Sequence, residues 1–227
     1  MNERIRTAIL LALMCWLSTT PTKAQLQEEK HNFSIGINGG VNFSNVSFSP
    51  RIKQTYLSGP QIGFTARFVS EKYFSMICGI QAEVNYSSRG WKEVIEDGSG
   101  DSYQRTMNYA EIPFMAHLAF GKEYGNGVRF VLNLGPQVGF LLGDKETHAM
   151  PSIQKEQYGK AVDNSFDYGI IGGGGLEIRT GIGHFLLEGR YYFGLSDFFN
   201  STKKDYFSRS AHSYICGKLT YLFDITK

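Results

Sequence analysis

From Phe33 to Phe223 the side chains alternate, apolar then small or polar, in eight separate runs. In the first run Phe33, Ile35, Ile37, Val41 and Phe43 alternate with Ser34, Gly36, Asn38, Gly40 and Asn42. Seven more runs follow, at about 59–69, 74–87, 107–120, 127–142, 167–179, 184–195 and 212–224. A period of two sets the two classes on opposite faces of a strand, whereas a helix would need a period of 3.6. The connections alternate too. Those at about 45–58, 88–106, 143–164 and 196–211 are long and polar, and those at about 70–73, 121–126 and 180–183 are short. An even number of strands with short turns at one end and long loops at the other is the plan of a transmembrane β-barrel. The expected fold is therefore all-β: an eight-stranded antiparallel up-and-down transmembrane barrel with a filled interior.

The two tracks assign the faces. The apolar track is broad, with aromatics such as Phe33 and Phe43, Phe74 and Tyr86, or Phe130 and Phe140 near the ends of runs, as two aromatic girdles around a lipid-facing band require. The opposite track is rich in glycine and carries Arg67, Glu83, Glu111, Arg129, Glu177, Arg179, Glu188, Arg190 and Lys218. Eight strands enclose only enough room for side chains. These charges are expected to pair across the lumen as a structural network, since isolated buried charges are far too costly. A secreted lipocalin-like cup would instead hide the aromatic track inside, but it gives no reason for the loop lengths to alternate.

The N-terminus, "MNERIRTAILLALMCWLSTTPTKAQ", sets Arg4 and Arg6 before a short apolar core and ends in small residues at Thr22 and Ala24. That is the order of a secretory signal peptide, residues 1–24, and its core is too short to cross a bilayer as a helix. Residues 25–32 are expected to form a short periplasmic segment and 33–227 the barrel. Removing 1–24 takes three of 23 basic and one of 21 acidic residues, which leaves 20 of each and no basic field for nucleic acid. The two remaining cysteines, Cys78 and Cys216, fit no zinc or redox spacing.

Little in the chain points to chemistry. The run "DYGIIGGGGLEIRTG", 167–181, lacks the Lys-Ser/Thr pair and the following helix of a P-loop. It reads as a strand whose Gly173 and Gly175 make room in the lumen for neighbours such as Tyr192, Arg190 and Gln137, while Gly172 and Gly174 let the wall bend. Ser210 and His212 share one side of the last strand, and with Asp205 they would form the triad of a lipid A-modifying barrel enzyme. Polar strand ends explain the same residues without catalysis. His117 is expected inside, as a hydrogen-bonding group. No cofactor, metal or catalytic residue is expected, and no continuous water channel.

The segments "GINGGVNFS" (36–44), "EVNYSSRG" (83–90), "YAEIPFM" (109–115), "NLGPQVGFLL" (133–142), "DYGIIGGGGLEI" (167–178) and "EGRYYFGLSDF" (188–198) together resemble the outer-membrane beta-barrel domain family of Bacteroidota, often labelled PorT-like. The resemblance implies an eight-stranded barrel in the outer membrane of a Gram-negative cell, and it links the namesake member to type IX secretion. The last strand, "YICGKLTYLF", resembles the signal by which barrel-insertion machinery recognises its clients, although Asp224 to Lys227 follow Phe223. The expected function is non-enzymatic: a structural or partner-binding outer-membrane barrel, with a secretion-accessory role and a lipid A-modifying role as alternatives. Arg89, Trp91 and Lys92 in the second long connection, and Phe198, Phe199, Lys203 and Lys204 in the fourth, are the exposed candidates for contacting lipopolysaccharide or an envelope protein partner.

Overall fold

The structure, a computed structural model, describes residues 27–96, 98, 101–121, 126–149, 155–202 and 205–226; the expected signal peptide, and Lys203 and Lys204, lie outside these. The described chain is strand nearly throughout. The strands are β1 (Gln27–Ser49), β2 (Gln54–Thr55), β3 (Leu57–Tyr73), β4 (Met76–Glu93), β5 (Ser102–Gly121), β6 (Gly127–Ala149), β7 (Phe166–Thr180), β8 (Gly183–Gly194) and β9 (Arg209–Thr226). Apart from β2, a two-residue strand beside the end of β4, each pairs antiparallel with its sequence neighbours, and β1 pairs with β9 to close the ring. These are the eight strands of an up-and-down barrel.

The register fixes its size. Followed around the wall, Phe33 partners Phe68, then Ile80, Ala116, Leu134, Gly172, Tyr191 and Ile215, and arrives back on β1 at Phe43. The circuit thus climbs from residue 33 to residue 43, a stagger of ten. With a rise of ~3.3 Å per residue and ~4.8 Å between strands, that stagger tilts the strands by roughly 40° and gives a backbone radius of about 8 Å. Such a tube has no space left once its inner side chains are in place.

The circuit also marks the lipid face. Phe64 is 70 % exposed, Leu134 61 % and Ile37 59 %, while Gln81, Glu111 and Glu177 on the inner track are fully buried. A ring of exposed apolar side chains around buried charges is stable only with hydrocarbon outside. The short turns all lie at the end that holds Gln27 and Thr226, and the long connections lie at the other.

The strands run further than the apolar alternation indicated. β1 extends to Ser49, β4 to Glu93, β5 begins at Ser102 and β6 reaches Ala149, so much of the expected second loop, 88–106, is a hairpin wall. At the other end β1 begins at Gln27 rather than Phe33. The outer extension follows the same geometry with inverted polarity. Val46, Phe48, Trp91, Tyr103 and Met107 point inward and are buried, while Ser47, Ser49, Lys92, Thr147 and Lys145 face out and are exposed. Above the bilayer the outside is water, so the apolar face turns inward as in a soluble barrel.

Candidate functional site

The interior holds three ion-pair clusters stacked along the axis. In the middle, Glu83 on β4 accepts from Arg190 Nη1 and Nη2 at 3.1 and 2.9 Å and from Lys218 at 2.5 Å. Arg190 also donates to Glu188 at 2.7 Å, and Asn85 and Gln81 complete the Glu83 shell at 2.9 and 2.8 Å. The two-oxygen fork from Arg190 holds β4 and β8 across the lumen, with the geometric specificity of bidentate pairing. Toward the short turns, Arg67 donates to Glu177 at 2.5 Å, and His184 lies between Glu177 at 2.9 Å and Asp224 at 3.1 Å. Arg129 sits 3.8 Å from Glu177, and Arg179 3.6 Å from Asp224. Val69, Ile77, Ala119, Val131 and Leu186 pack together at this end.

Toward the long loops, Arg89 is fully buried, 2.6 Å from Asp167 and 3.3 Å from Glu111, and lies 3.8 Å over the Tyr109 ring. Tyr192 donates to Asp167 at 2.7 Å and Tyr214 to Glu111 at 3.0 Å. Arg89 therefore belongs to the interior and not to an exposed loop. Six cations (Arg67, Arg89, Arg129, Arg179, Arg190, Lys218) face six anions (Glu83, Glu111, Asp167, Glu177, Glu188, Asp224) among the described residues of the lumen. Charge balance lets so many ionised groups share a low-dielectric tube. All nine charges of the expected network lie on this inner face, Arg179 at its more open end. The sequence reading missed Arg89, Asp224 and His184 because each lies at or beyond the edge of an apolar run.

The outer mouth is closed by an aromatic cluster. Phe48, Trp91, Tyr103, Phe198, Phe199 and Phe207 pack with Val46, Met107 and Tyr109. Trp91 meets Phe48 edge-on at 5.1 Å and stacks with Phe198 at 5.8 Å. Trp91, Phe198 and Phe199 were expected as exposed contacts, yet they are 0, 3 and 0 % exposed. Aromatics in a polar loop lose less by folding back over the mouth than by facing water. Of the expected contacts in the described residues, Lys92 alone is exposed. The third outer connection is tied down by Glu93, which accepts from Lys155 at 3.0 Å, Gln157 at 2.6 Å and Tyr158 at 3.1 Å. Burial would lower the Lys155 pKa, but the Glu93 hydrogen bond and charge outweigh it and raise it, so Lys155 stays an ammonium at neutral pH. Arg105 clamps the same hairpin through Asp144 at 2.5 Å and Glu146 at 2.8 Å. Grooves of about 480 and 720 Å³ flank the first outer loop, whose Arg51, Ile52 and Lys53 line both.

The remaining chemical candidates are absorbed by structure. Ser210 Oγ accepts from the Phe199 amide at 3.0 Å, and His212 Nε2 lies 3.3 Å from the Tyr109 hydroxyl with its ring stacked on Phe198. Both are buried, and Asp205 binds Thr202 instead, so the triad weighed as an alternative is not assembled. His117 Nδ1 sits 2.9 Å from Asn133 Oδ1. Cys78 and Cys216 are unpaired, and Cys216 donates to Gln61 at 2.8 Å. No group of metal-ligating side chains forms among the described residues.

The model of the outer membrane protein beta-barrel domain family matches residues 23–200. Similar solved structures include OprG of Pseudomonas aeruginosa, at 12 % identity and a TM-score of 0.47, covering 86 % of this chain and 97 % of that one. Neisserial surface protein A gives 11 % and 0.39 with 84 and 97 % covered; Ail, the attachment invasion locus protein of Yersinia pestis, gives 13 % and 0.33 with 84 and 98 % covered. No curated protein matches the chain. The family match spans most of the chain, and its closed eight-stranded ring meets lipid with one face and holds its charges on the other: the chain belongs to the outer membrane protein beta-barrel domain family and resides in the outer membrane.

Proposed function

We propose that this barrel is non-enzymatic and closed, and that it serves as a structural or partner-binding platform through its outer surface. The observation that carries this reading is the double seal. A charge-neutral ion-pair network fills the tube, and Trp91, Phe198, Phe199 and Phe207 cover its mouth. A pore needs a continuous water path, and a lipid A-modifying enzyme needs a serine and histidine in reach of each other and of the lipid. Pure protein in planar bilayers is expected to give no nanosiemens steps; a stable large conductance would reject the closed barrel. A pull-down from the native envelope is expected to recover a defined protein partner, and recovery of none leaves the structural role.

The finer placement is with the PorT-like barrels of Bacteroidota, supported by the order and spacing of "YAEIPFM" at 109–115, "NLGPQVGFLL" at 133–142 and "EGRYYFGLSDF" at 188–198. On that placement an accessory role in a type IX-like secretion route is the alternative. It is tested by deleting the gene and assaying export: unchanged secretion of the route's clients rejects it. Insertion through the barrel-insertion machinery after removal of residues 1–24 is the delivery route this reading requires.

A further inference from the structure

On the strand walls above the lipid-facing belt, charge is sorted by face. Lys92 on β4 and Lys145 on β6 point outward and are exposed, and neither has an ion-pair partner among the described residues. The acids of the same extension turn the other way: Asp144 and Glu146 onto the buried Arg105, and Glu93 into the cap. Register sets the two lysines on one polar patch. Lys92 pairs with Gln104, which pairs with Thr147, and Lys145 pairs with Thr106 beside Gln104. At the strand tilt of roughly 40°, each residue adds about 2.5 Å of height. Lys145 is three residues past Leu142, the last exposed apolar residue of β6, and so sits about 8 Å above the belt; the register through Gln104 and Thr147, at the same tilt, sets Lys92 at nearly the same height. The headgroup layer extends roughly 5–8 Å beyond the hydrocarbon, within reach of a lysine stem from that height.

We infer that the outward face of β4–β6, with Lys92 and Lys145 and the side-chain donors of Gln104, Thr106 and Thr147, binds the phosphoryl groups of the outer-leaflet glycolipid. The inference rests on the membrane barrel of the preceding section and deepens it by naming the lipid contact. Charge complementarity decides the occupant. An ammonium on a long stem reaches down to the interface while its methylenes lie along the wall. Phosphomonoesters carry more than one negative charge and accept several hydrogen bonds. A face that served only solubility would have no reason to turn the strand acids Glu93, Asp144 and Glu146 inward.

The test uses full-length barrel in phosphatidylcholine vesicles, alone or with bis-phosphorylated lipid A, or with the same lipid A after phosphate removal. The heat-dependent change in gel mobility reports the folded barrel, and co-purified lipid A reports binding. The wild type is expected to retain phosphorylated lipid A, and the K92S/K145S variant to retain about tenfold less, with the same mobility shift in phosphatidylcholine alone. Equal retention by wild type and variant, or equal retention of dephosphorylated lipid A, overturns the inference while leaving the barrel intact. Competition by millimolar inorganic phosphate as strong as by lipid A would make the site one for a soluble anion and overturn the lipid assignment. Loss of the mobility shift by the wild type in every vesicle would instead reject the barrel itself.

Discussion

Gly173 shows how little freedom one residue has in this wall. A Cβ added there would press into the Gly189 carbonyl oxygen and come within 2.7 Å of the Arg190 backbone and 2.9 Å of its Cγ. The close neighbour is backbone, so it has no rotamer to yield. Gly189, on the lipid face of the next strand, has no heavy atom within 4 Å of the same added carbon. Gly173→Ala is therefore expected to reduce the yield of heat-modifiable barrel, and Gly189→Ala to leave it unchanged; equal yields would remove the packing role of Gly173. The outer pair has a setting of its own. Gly172 and Gly174 lie under the ends of the Leu134 and Leu132 side chains, at 2.8 and 3.1 Å from an added Cβ, so they seat neighbouring leucines. At the centre of the network, Arg190→Leu strips two hydrogen bonds from Glu83 and leaves Glu188 short of its partner. Removing one member of such a buried pair costs about 3–5 kcal/mol, so urea unfolding of the variant in vesicles is expected at clearly lower denaturant. Glu83→Gln loses the charge but keeps the shape, and is expected to fall between the two.

The elements differ in what holds them. β7 and β8 are short and end near the belt, at Phe166 and Gly194, whereas the β5–β6 hairpin continues to a pair at Ser102 and Ala149. That projecting wall is stabilised from inside, by Trp91, Tyr103, Met107 and the Arg105 clamp, and from the loop by Glu93. In protein refolded from residues 25–227, Trp91 is the single tryptophan, since the chain's other one is Trp16. Its emission then reports the cap alone. Phe198→Ala is expected to red-shift that emission and to speed protease cleavage of the outer loops, with the gel-mobility shift of the barrel retained. An unchanged spectrum would mean that the fourth loop does not cover Trp91. On the lipid face the fault is a charge gained rather than a ring lost: Leu134→Lys, at mid-wall, is expected to cost about 2–4 kcal/mol of unfolding free energy in a bilayer.

For the whole molecule, orientation follows from the ends. The three short turns face the periplasm and the cap faces outward, so an amine reagent that cannot cross the membrane should label Lys53 and Lys155 on intact cells. Lys218, buried against Glu83, should react only after denaturation. Labelling of Lys218 alongside them would mean that the lumen is open. The interior network and the aromatic cap act at different depths and share few residues, so their variants are expected to add in unfolding free energy.

Much of this was legible in the chain. The period of two in Phe33 to Asn42 and its seven repeats fixed strands, and the alternating connection lengths fixed their antiparallel order and which end carries the loops. A strand exposes opposite side chains to opposite media, so the inward charges from Arg67 to Lys218 could be named without coordinates. What the sequence could not decide was where the outer medium changes. Arg89, Trp91 and Phe198 sit in stretches where the apolar track is no longer the lipid-facing one, and a local pattern has no way to mark that the bilayer has ended. Tertiary closure decided it: only when the ring brings β1, β4, β5 and the fourth loop together do those side chains find one another and bury the mouth, leaving Lys92 outside with Lys145.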